Sequence, residues 1–207
     1  VVTDGNSLTI YAQSENGGTL NATGMTDDSG NASAGIGGST SSVDSGSITI
    51  HGGIINATGG STGSNGYGGA GIGGGTSKSA NGGNSGTIII YGGTVTANSG
   101  AGNATGAGIG GGAGDNVGGA GSNITIYGGS VTAASTGTQL GGAGIGGGGG
   151  NNDGGTGENI NIYGGTVNAT GGNLGAGIGG GGSSAIDDSS HKSGDGAVTI
   201  SGGTVTA

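Results

Sequence analysis

The chain has 207 residues, 65 of them glycine and none of them proline, cysteine, tryptophan or phenylalanine, and a formal net charge of −9 with only two lysines and no arginine. Glycine at this level without a strict Gly-X-Y step or proline excludes a collagen triple helix. Too few basic side chains exist to hold a phosphate backbone, which argues against nucleic acid and anionic membranes as partners, and no apolar run is long enough to span a bilayer.

Aromatic residues make up 2% of the chain, so a thick globular core is not available. Disorder is argued against by regular β-branched alternation. The apolar residues suffice for a thin column. Absence of cysteine is compatible with secretion, where an unpaired thiol would be a liability. Val1-Val2-Thr3 carries no signal peptide, as expected of a chain that starts at a mature or excised boundary.

Residues 1–22 form an irregular first unit. Leu8-Thr-Ile-Tyr11 is a short alternating strand, Ala12-Gln-Ser-Glu-Asn16 is inserted after it, and Thr19-Leu-Asn-Ala22 is a second strand. The pattern then settles into repeats near 23–57, 58–97, 98–133, 134–169 and 170–207 of one domain. Asn123-Ile-Thr-Ile-Tyr-Gly-Gly-Ser-Val-Thr-Ala133 shows the unit most plainly. Ile124 and Ile126 alternate with Thr125 and Tyr127, and Val131 and Ala133 alternate with Ser130 and Thr132, so each half has one apolar and one polar face. Ile126 and Val131 are an odd number of residues apart, so the chain must bend at Gly128-Gly129 for both to point inward. A third element, Ala-Gly-Ile-Gly, recurs at Ala34–Gly37, Ala70–Gly73, Ala107–Gly110, Ala143–Gly146 and Ala176–Gly179.

Position 11 maps to 51, 91, 127, 163 and 201, giving steps of 40, 40, 36, 36 and 38. Self-similarity of this period marks a solenoid. The fold expected is all-β, a right-handed parallel β-helix of about five to six coils with three short strands per coil, roughly 25–30 Å long. Two other arrangements compete with it. The regular repeats divide into 18 plus 18 residues, which would fit a left-handed coil of half the length, and the glycine content would fit a bundle of polyproline-like helices. Length variation is confined to the two loops of each repeat, which are therefore expected to form an outer surface. Ala207 closes a second strand, so the chain is expected to continue or to pair at that edge.

Outward positions form ladders in such a stack. The first is Tyr11, His51, Tyr91, Tyr127, Tyr163 and Ser201. Its rings either stack on one another or offer a platform to sugar rings. The second includes Thr94, Thr96, Thr132 and Thr166, with Asn and Ile54 as interruptions. It reads as a solvated strand face or, as a flat Thr-x-Thr array, an ice-binding one. The third is glycine: Gly144 and Gly146 are expected to face outward, leaving bare backbone for the protein's own loops or for a lateral neighbour. Asp44, Asp115, Asp153, Asp187 and Asp188 lie in the loops after Ala-Gly-Ile-Gly, where oxygen-rich turns would suit Ca²⁺ or serve as solvated turns; no cofactor is required. Ile186–Lys192 alone gathers acid, histidine and lysine. A polar insert in the longest loop is a poor place for an oriented catalytic group, so no enzyme is expected.

The unit Ile-Thr-Ile-Tyr-Gly-Gly-Ser-Val-Thr-Ala followed by Gly-Gly-Ala-Gly-Ile-Gly-Gly-Gly resembles glycine-rich repeat regions of Gram-positive bacterial cell-surface proteins. More loosely, it is similar to secreted β-helical carbohydrate-binding domains. The resemblance implies an exported, secreted or wall-attached, non-catalytic module that binds a glycan or another cell-surface ligand. The loops differ from those of the carbohydrate-binding domains, so it assigns no sugar or metal ligand to individual residues. A self-assembling filament or matrix subunit, associating end to end or side by side through glycine-rich faces, is the alternative.

Overall fold

The computed structural model describes residues 1–12, 17–41, 43–63, 66–184 and 192–207. The chain forms a right-handed parallel β-helix of about five turns built on three sheets. The first sheet has six strands, Ser7–Ile10, Ser47–Ile50, Ile88–Ile90, Ile124–Ile126, Gly157–Ile162 and Gly196–Ile200, stacked in chain order. The second stacks Thr19–Thr23, Ile54–Thr58, Thr94–Asn98, Ser130–Ala134, Thr166–Thr170 and Thr204–Thr206 in the same way, and the third stacks Ile36–Gly37, Ile72–Gly73, Ile109–Gly110, Ile145–Gly146 and Ile178–Gly179. A two-stranded sheet pairs Tyr67–Gly68 with Ala104–Thr105.

Register settles the coil length. Ile124 lies beside Ile88 on one side and Ile160 on the other, and Val131 lies between Val95 and Val167. Each repeat is therefore one turn, which overturns both the half-length coil and the polyproline bundle.

The core is a set of vertical rows, one residue per turn. Ile48, Ile88, Ile124 and Ile160 form one row, Ile50, Ile90, Ile126 and Ile162 a second, and Ile55, Val95, Val131 and Val167 a third, all essentially without solvent exposure. Ile36, Ile72, Ile109, Ile145 and Ile178 close the triangle from the third sheet. Burying an isoleucine stabilises by about 1.5–3 kcal/mol, and these rows are the main source of that stabilisation in a chain with so few large side chains. At the first corner, the second glycine of each pair has a positive φ: 95° at Gly53, 94° at Gly93, 89° at Gly129 and 90° at Gly165. This left-handed backbone is open to glycine at little cost, and it turns Val131 inward after Ile126 as the odd spacing requires.

The loops depart from expectation. They form an outer surface only in part: residues 78–81 and 138–139 are exposed, but residues 66–69, 74–77, 104–106, 111–114, 140–142 and 147–150 are buried. After Ala-Gly-Ile-Gly the chain runs inward beside the segment that later leads back to the first sheet, and the two interleave. The Gly83 amide donates to the Gly75 carbonyl (2.8 Å), Gly112 to Gly83 (2.9 Å), Gly119 to Gly112 (2.8 Å), Gly148 to Gly119 (3.0 Å) and Gly155 to Gly148 (2.8 Å). This zigzag of backbone hydrogen bonds rises through successive turns with no side chain inside it. A Cβ on Gly112 would lie 2.0 Å from the Gly75 oxygen, and one on Gly148 2.1 Å from the Gly112 oxygen.

Candidate ligand-binding faces

The first ladder forms where the first sheet meets the glycine corner. The amide of Tyr127 still donates to Ile90, and that of Tyr163 to Ile126, so each ring leaves the sheet at the same height in its turn. The rings stack. Centroids are 4.4 Å apart for Tyr11–His51, 4.8 Å for His51–Tyr91, 5.0 Å for Tyr91–Tyr127 and 5.2 Å for Tyr127–Tyr163, with interplanar angles of 5–15°. Of the two sequence alternatives, mutual stacking is the one present. Both faces of His51, Tyr91 and Tyr127 are covered by neighbouring rings. The rims remain in solvent, with Tyr91, Tyr127 and Tyr163 46–48% exposed. Ser201 ends the row without a ring.

Two further rows share this outward face. Strand alternation puts Thr49, Ile89, Thr125 and Asn161 on the same side as the rings, and these are half-buried. Beyond them stand Ser47, Thr87, Asn123 and Asn159, all exposed. Asn123 and Asn159 have φ of 59° and 55°, a conformation asparagine tolerates better than most residues. The Asn159 side-chain amide donates to Asn123 Oδ1 at 2.6 Å, and Asn161 donates to Asn159 Oδ1 at 3.0 Å. The face is thus a ridge of aromatic rims beside side chains that are polar except at Ile89, repeated once per turn. The ring positions alone point to the ridge; the x positions of Ile-x-Ile carry the signal for the row beside it.

The outward face of the second sheet holds Thr94, Thr96, Thr132 and Thr166, as expected. Thr94, Ser130 and Thr166 align in one row, and Asn56, Thr96, Thr132 and Asn168 in another. Asn56 donates to Asn21 Oδ1 at 2.9 Å, so hydroxyls and amides share the face and Ile54 interrupts it.

The third face corrects the sequence reading. Gly144 and Gly146, expected outward, are buried. A Cβ on Gly144 would lie 2.5 Å from the Thr170 nitrogen, and one on Gly146, where φ is 136°, 1.9 Å from the Gly179 oxygen. The turn is closed by the Ala143 amide donating to Gly147 O at 2.8 Å. These glycines let neighbouring turns approach, so they offer no exposed strip for lateral packing.

The acidic residues stand apart. Asp44 accepts from the Asn84 amide (2.7 Å) and side chain (3.2 Å). Asp153 accepts from the Lys192 amide (2.8 Å). Asp187 and Asp188 lie outside the described residues, as does His191. Among the described residues, no three His, Cys, Asp or Glu side chains gather in a group able to hold a metal ion.

Asp115 belongs to a cluster that the sequence did not reveal. Tyr67 Oη donates to Asp115 Oδ1 at 2.7 Å, and Asn151 Nδ2 donates to Tyr67 Oη at 2.7 Å and to Asp115 Oδ1 at 2.8 Å. Tyr67 is buried beside Ala104, Ala113 and Leu140. Burial, then its hydrogen bond to Asp115, pushes the Tyr67 phenol well above the ordinary tyrosine range. The cluster ties three successive turns together. Tyr67 precedes a Gly-Gly pair as Tyr91, Tyr127 and Tyr163 do, but it leads into Ala70-Gly-Ile-Gly73 rather than following Ile-x-Ile.

Stacked in-register strands, a one-residue-per-turn core and outward ladders define a parallel β-solenoid repeat protein. The Beta helix repeat family model matches residues 16–40, 88–113, 124–149, 160–182 and 198–207, just over half of the chain, and the chain belongs to that family. No curated protein and no solved structure matches it.

Proposed function

We propose that the chain is a non-catalytic, extracellular structural and adhesive module that binds glycans on the outward face of its first sheet. The observation that carries this reading is the continuous ladder from Tyr11 to Tyr163, whose exposed tyrosine rims stand beside rows of Ser, Thr and Asn interrupted by Ile89. Phenol, hydroxyl and amide groups all donate and accept hydrogen bonds, as sugar hydroxyls require. The aromatic rims add apolar surface, a combination found in binding sites that hold amphipathic ligands. The resemblance to repeat regions of Gram-positive surface proteins supports the same setting. A glycan array comparing the native chain with Tyr91→Ala, Tyr127→Ala and Tyr163→Ala combined tests the proposal. Binding lost in the variant supports it, and binding that is absent or unchanged removes it.

A second reading is lateral self-association into a matrix. Its support is the outward face of the second sheet, where the rows through Thr94, Thr96, Ser130, Thr132 and Thr166 hold no charged residue. Electron microscopy of dilute protein would show sheets or fibres under this reading, and persistent monomers would end it.

A further inference from the structure

We infer that the glycan is an extended, unbranched and uncharged polysaccharide that lies along the axis of the helix, one sugar per turn, held by ring rims and phenol hydroxyls rather than by ring faces. This rests on the glycan reading and narrows it to a ligand class and a binding mode.

Three observations lead there. The first is that the stack leaves no room for a sugar between rings: the centroids of His51, Tyr91, Tyr127 and Tyr163 are 4.8–5.2 Å apart and nearly parallel. A pyranose cannot lie on a face already covered by another ring. It can reach only the rims and the hydroxyls that project from them.

The second is periodicity. The aromatic rings stack once per turn, Thr49, Ile89, Thr125 and Asn161 pair in register, and Ser47, Thr87, Asn123 and Asn159 each precede the first core isoleucine of their strand. A linear ligand aligned with the axis meets the same chemistry at every turn only if its own repeat matches that step. An extended peptide advances about 3.3 Å per residue as a strand and about 3.1 Å as a polyproline helix, so it falls out of phase after one turn. A β-1,4-linked sugar chain in its extended form advances per sugar by nearly the strand spacing, with alternate sugars flipped, so one sugar falls at each turn and the same edge returns at every second turn. Branches would break the match.

The third is charge. The chain carries −9 overall with two lysines, and Glu158 stands beside Asn159 at one end of the face. A uronic or sulfated polymer would be repelled.

Each matched sugar adds its contacts without a new loss of translational freedom, so affinity grows with ligand length until the turns are used up. The test is calorimetric titration of the full chain with neutral β-1,4-linked gluco-, manno- and N-acetylglucosamine oligomers of increasing length. Affinity is expected to rise with each added sugar up to about five, the number of ladder rings, and then level off. Tyr91→Phe, Tyr127→Phe and Tyr163→Phe combined keeps the stack but removes three hydroxyls. It is expected to weaken the longest oligomer by about tenfold, equivalent to about 1.4 kcal/mol, with an unchanged melting temperature. An affinity that stays flat beyond the disaccharide, on a chain that does bind glycans, means recognition of an end or a single sugar and overturns the inference while leaving the glycan reading in place. Unchanged binding by the Phe variant overturns the hydroxyl contact. Failure of every glycan to bind removes the parent reading as well.

Discussion

The Gly119 amide donates to the Gly112 carbonyl at 2.8 Å, joining the two arms of the loop that runs from the third sheet back to the first within one turn. Gly148 of the next turn then donates to Gly119 at 3.0 Å, so a single hydrogen-bonded zigzag links turn to turn inside the molecule. Much of the glycine that first suggests flexibility is the filling of this inner seam. A chain segment can be buried only if its amides and carbonyls find partners, and here they find one another because nothing intrudes between them.

Glycine substitutions should therefore divide sharply by position. A Cβ on Gly119 would lie 2.0 Å from the Gly83 oxygen, whereas on Gly92 the nearest atom is the His51 oxygen at 3.4 Å. Gly119→Ala is expected to lower stability by more than about 4 kcal/mol, the range of severe core disruptions. Gly92→Ala is expected to stay within about 1 kcal/mol of the native chain. Urea denaturation followed by circular dichroism distinguishes the two, and equal effects would contradict an internal seam.

The aromatic ladder predicts a contrast at Tyr127. That ring contacts Tyr91 on one face and Tyr163 on the other, and an aromatic pair contributes about 0.5–1.5 kcal/mol beyond its area. Tyr127→Ala is expected to cost about 1–3 kcal/mol and to diminish the near-ultraviolet circular dichroism of the stack, while Tyr127→Phe leaves both close to native. A Phe variant as damaging as the Ala variant would show that the hydroxyl, and not the stack, holds the row.

Tyr67 makes stability sensitive to alkali. Its folded-state phenol titrates above the unfolded value because of burial and Asp115. The stabilisation linked to this shift is fully present below the unfolded tyrosine range and is lost as pH rises from there through the raised folded value. Denaturation midpoints measured across alkaline pH should fall, and less steeply for Tyr67→Phe. At neutral pH the same substitution leaves Asp115 and Asn151 with one partner fewer and is expected to cost about 1–3 kcal/mol. Identical alkaline profiles for the two proteins would contradict the cluster.

At acid pH the exposed turn at Asp27 is the local reporter. Its carboxyl is held below the ordinary range, first by the Asn31 side-chain amide at 2.9 Å and then by the Asn31 backbone amide, with Ser29 adding a weaker contribution. A depressed folded value means that the contribution is present above the unfolded carboxylate range and disappears as pH falls through the folded one. Nuclear magnetic resonance should show the Asn31 amide moving with the Asp27 carboxyl at a pH below that of an unstructured aspartate, and independent titration would sink the assignment.

The sheets were legible because Ile-x-Ile and Val-x-Ala alternate with the pleat and recur with their turn. Ile124 between Ile88 and Ile160 could be read directly from spacing. The burial of Gly144 and Gly146 could not. Alternation around Ile145 placed them outward, but their positions depend on how far the following loop folds back, which no local periodicity records. The same holds for Tyr67, Asp115 and Asn151, which come from three turns and meet only because loops of different length converge. For the candidate face, the residue types were visible in Tyr91, Tyr127 and Tyr163. Whether their faces were free depended on the distance between turns.

The most direct test of the whole account is cysteine trapping on a chain that has no cysteine of its own. Thr125 and Asn161 are in-register neighbours in adjacent turns, at a strand spacing of about 4.8 Å that suits a disulfide. Thr125→Cys with Asn161→Cys should cross-link intramolecularly in high yield under mild oxidation, while Thr125→Cys with Ala143→Cys, half a repeat apart, should not. A disulfide forming in the second pair and not in the first would mean that the coil is half as long, and that every ladder described here is built from the wrong residues.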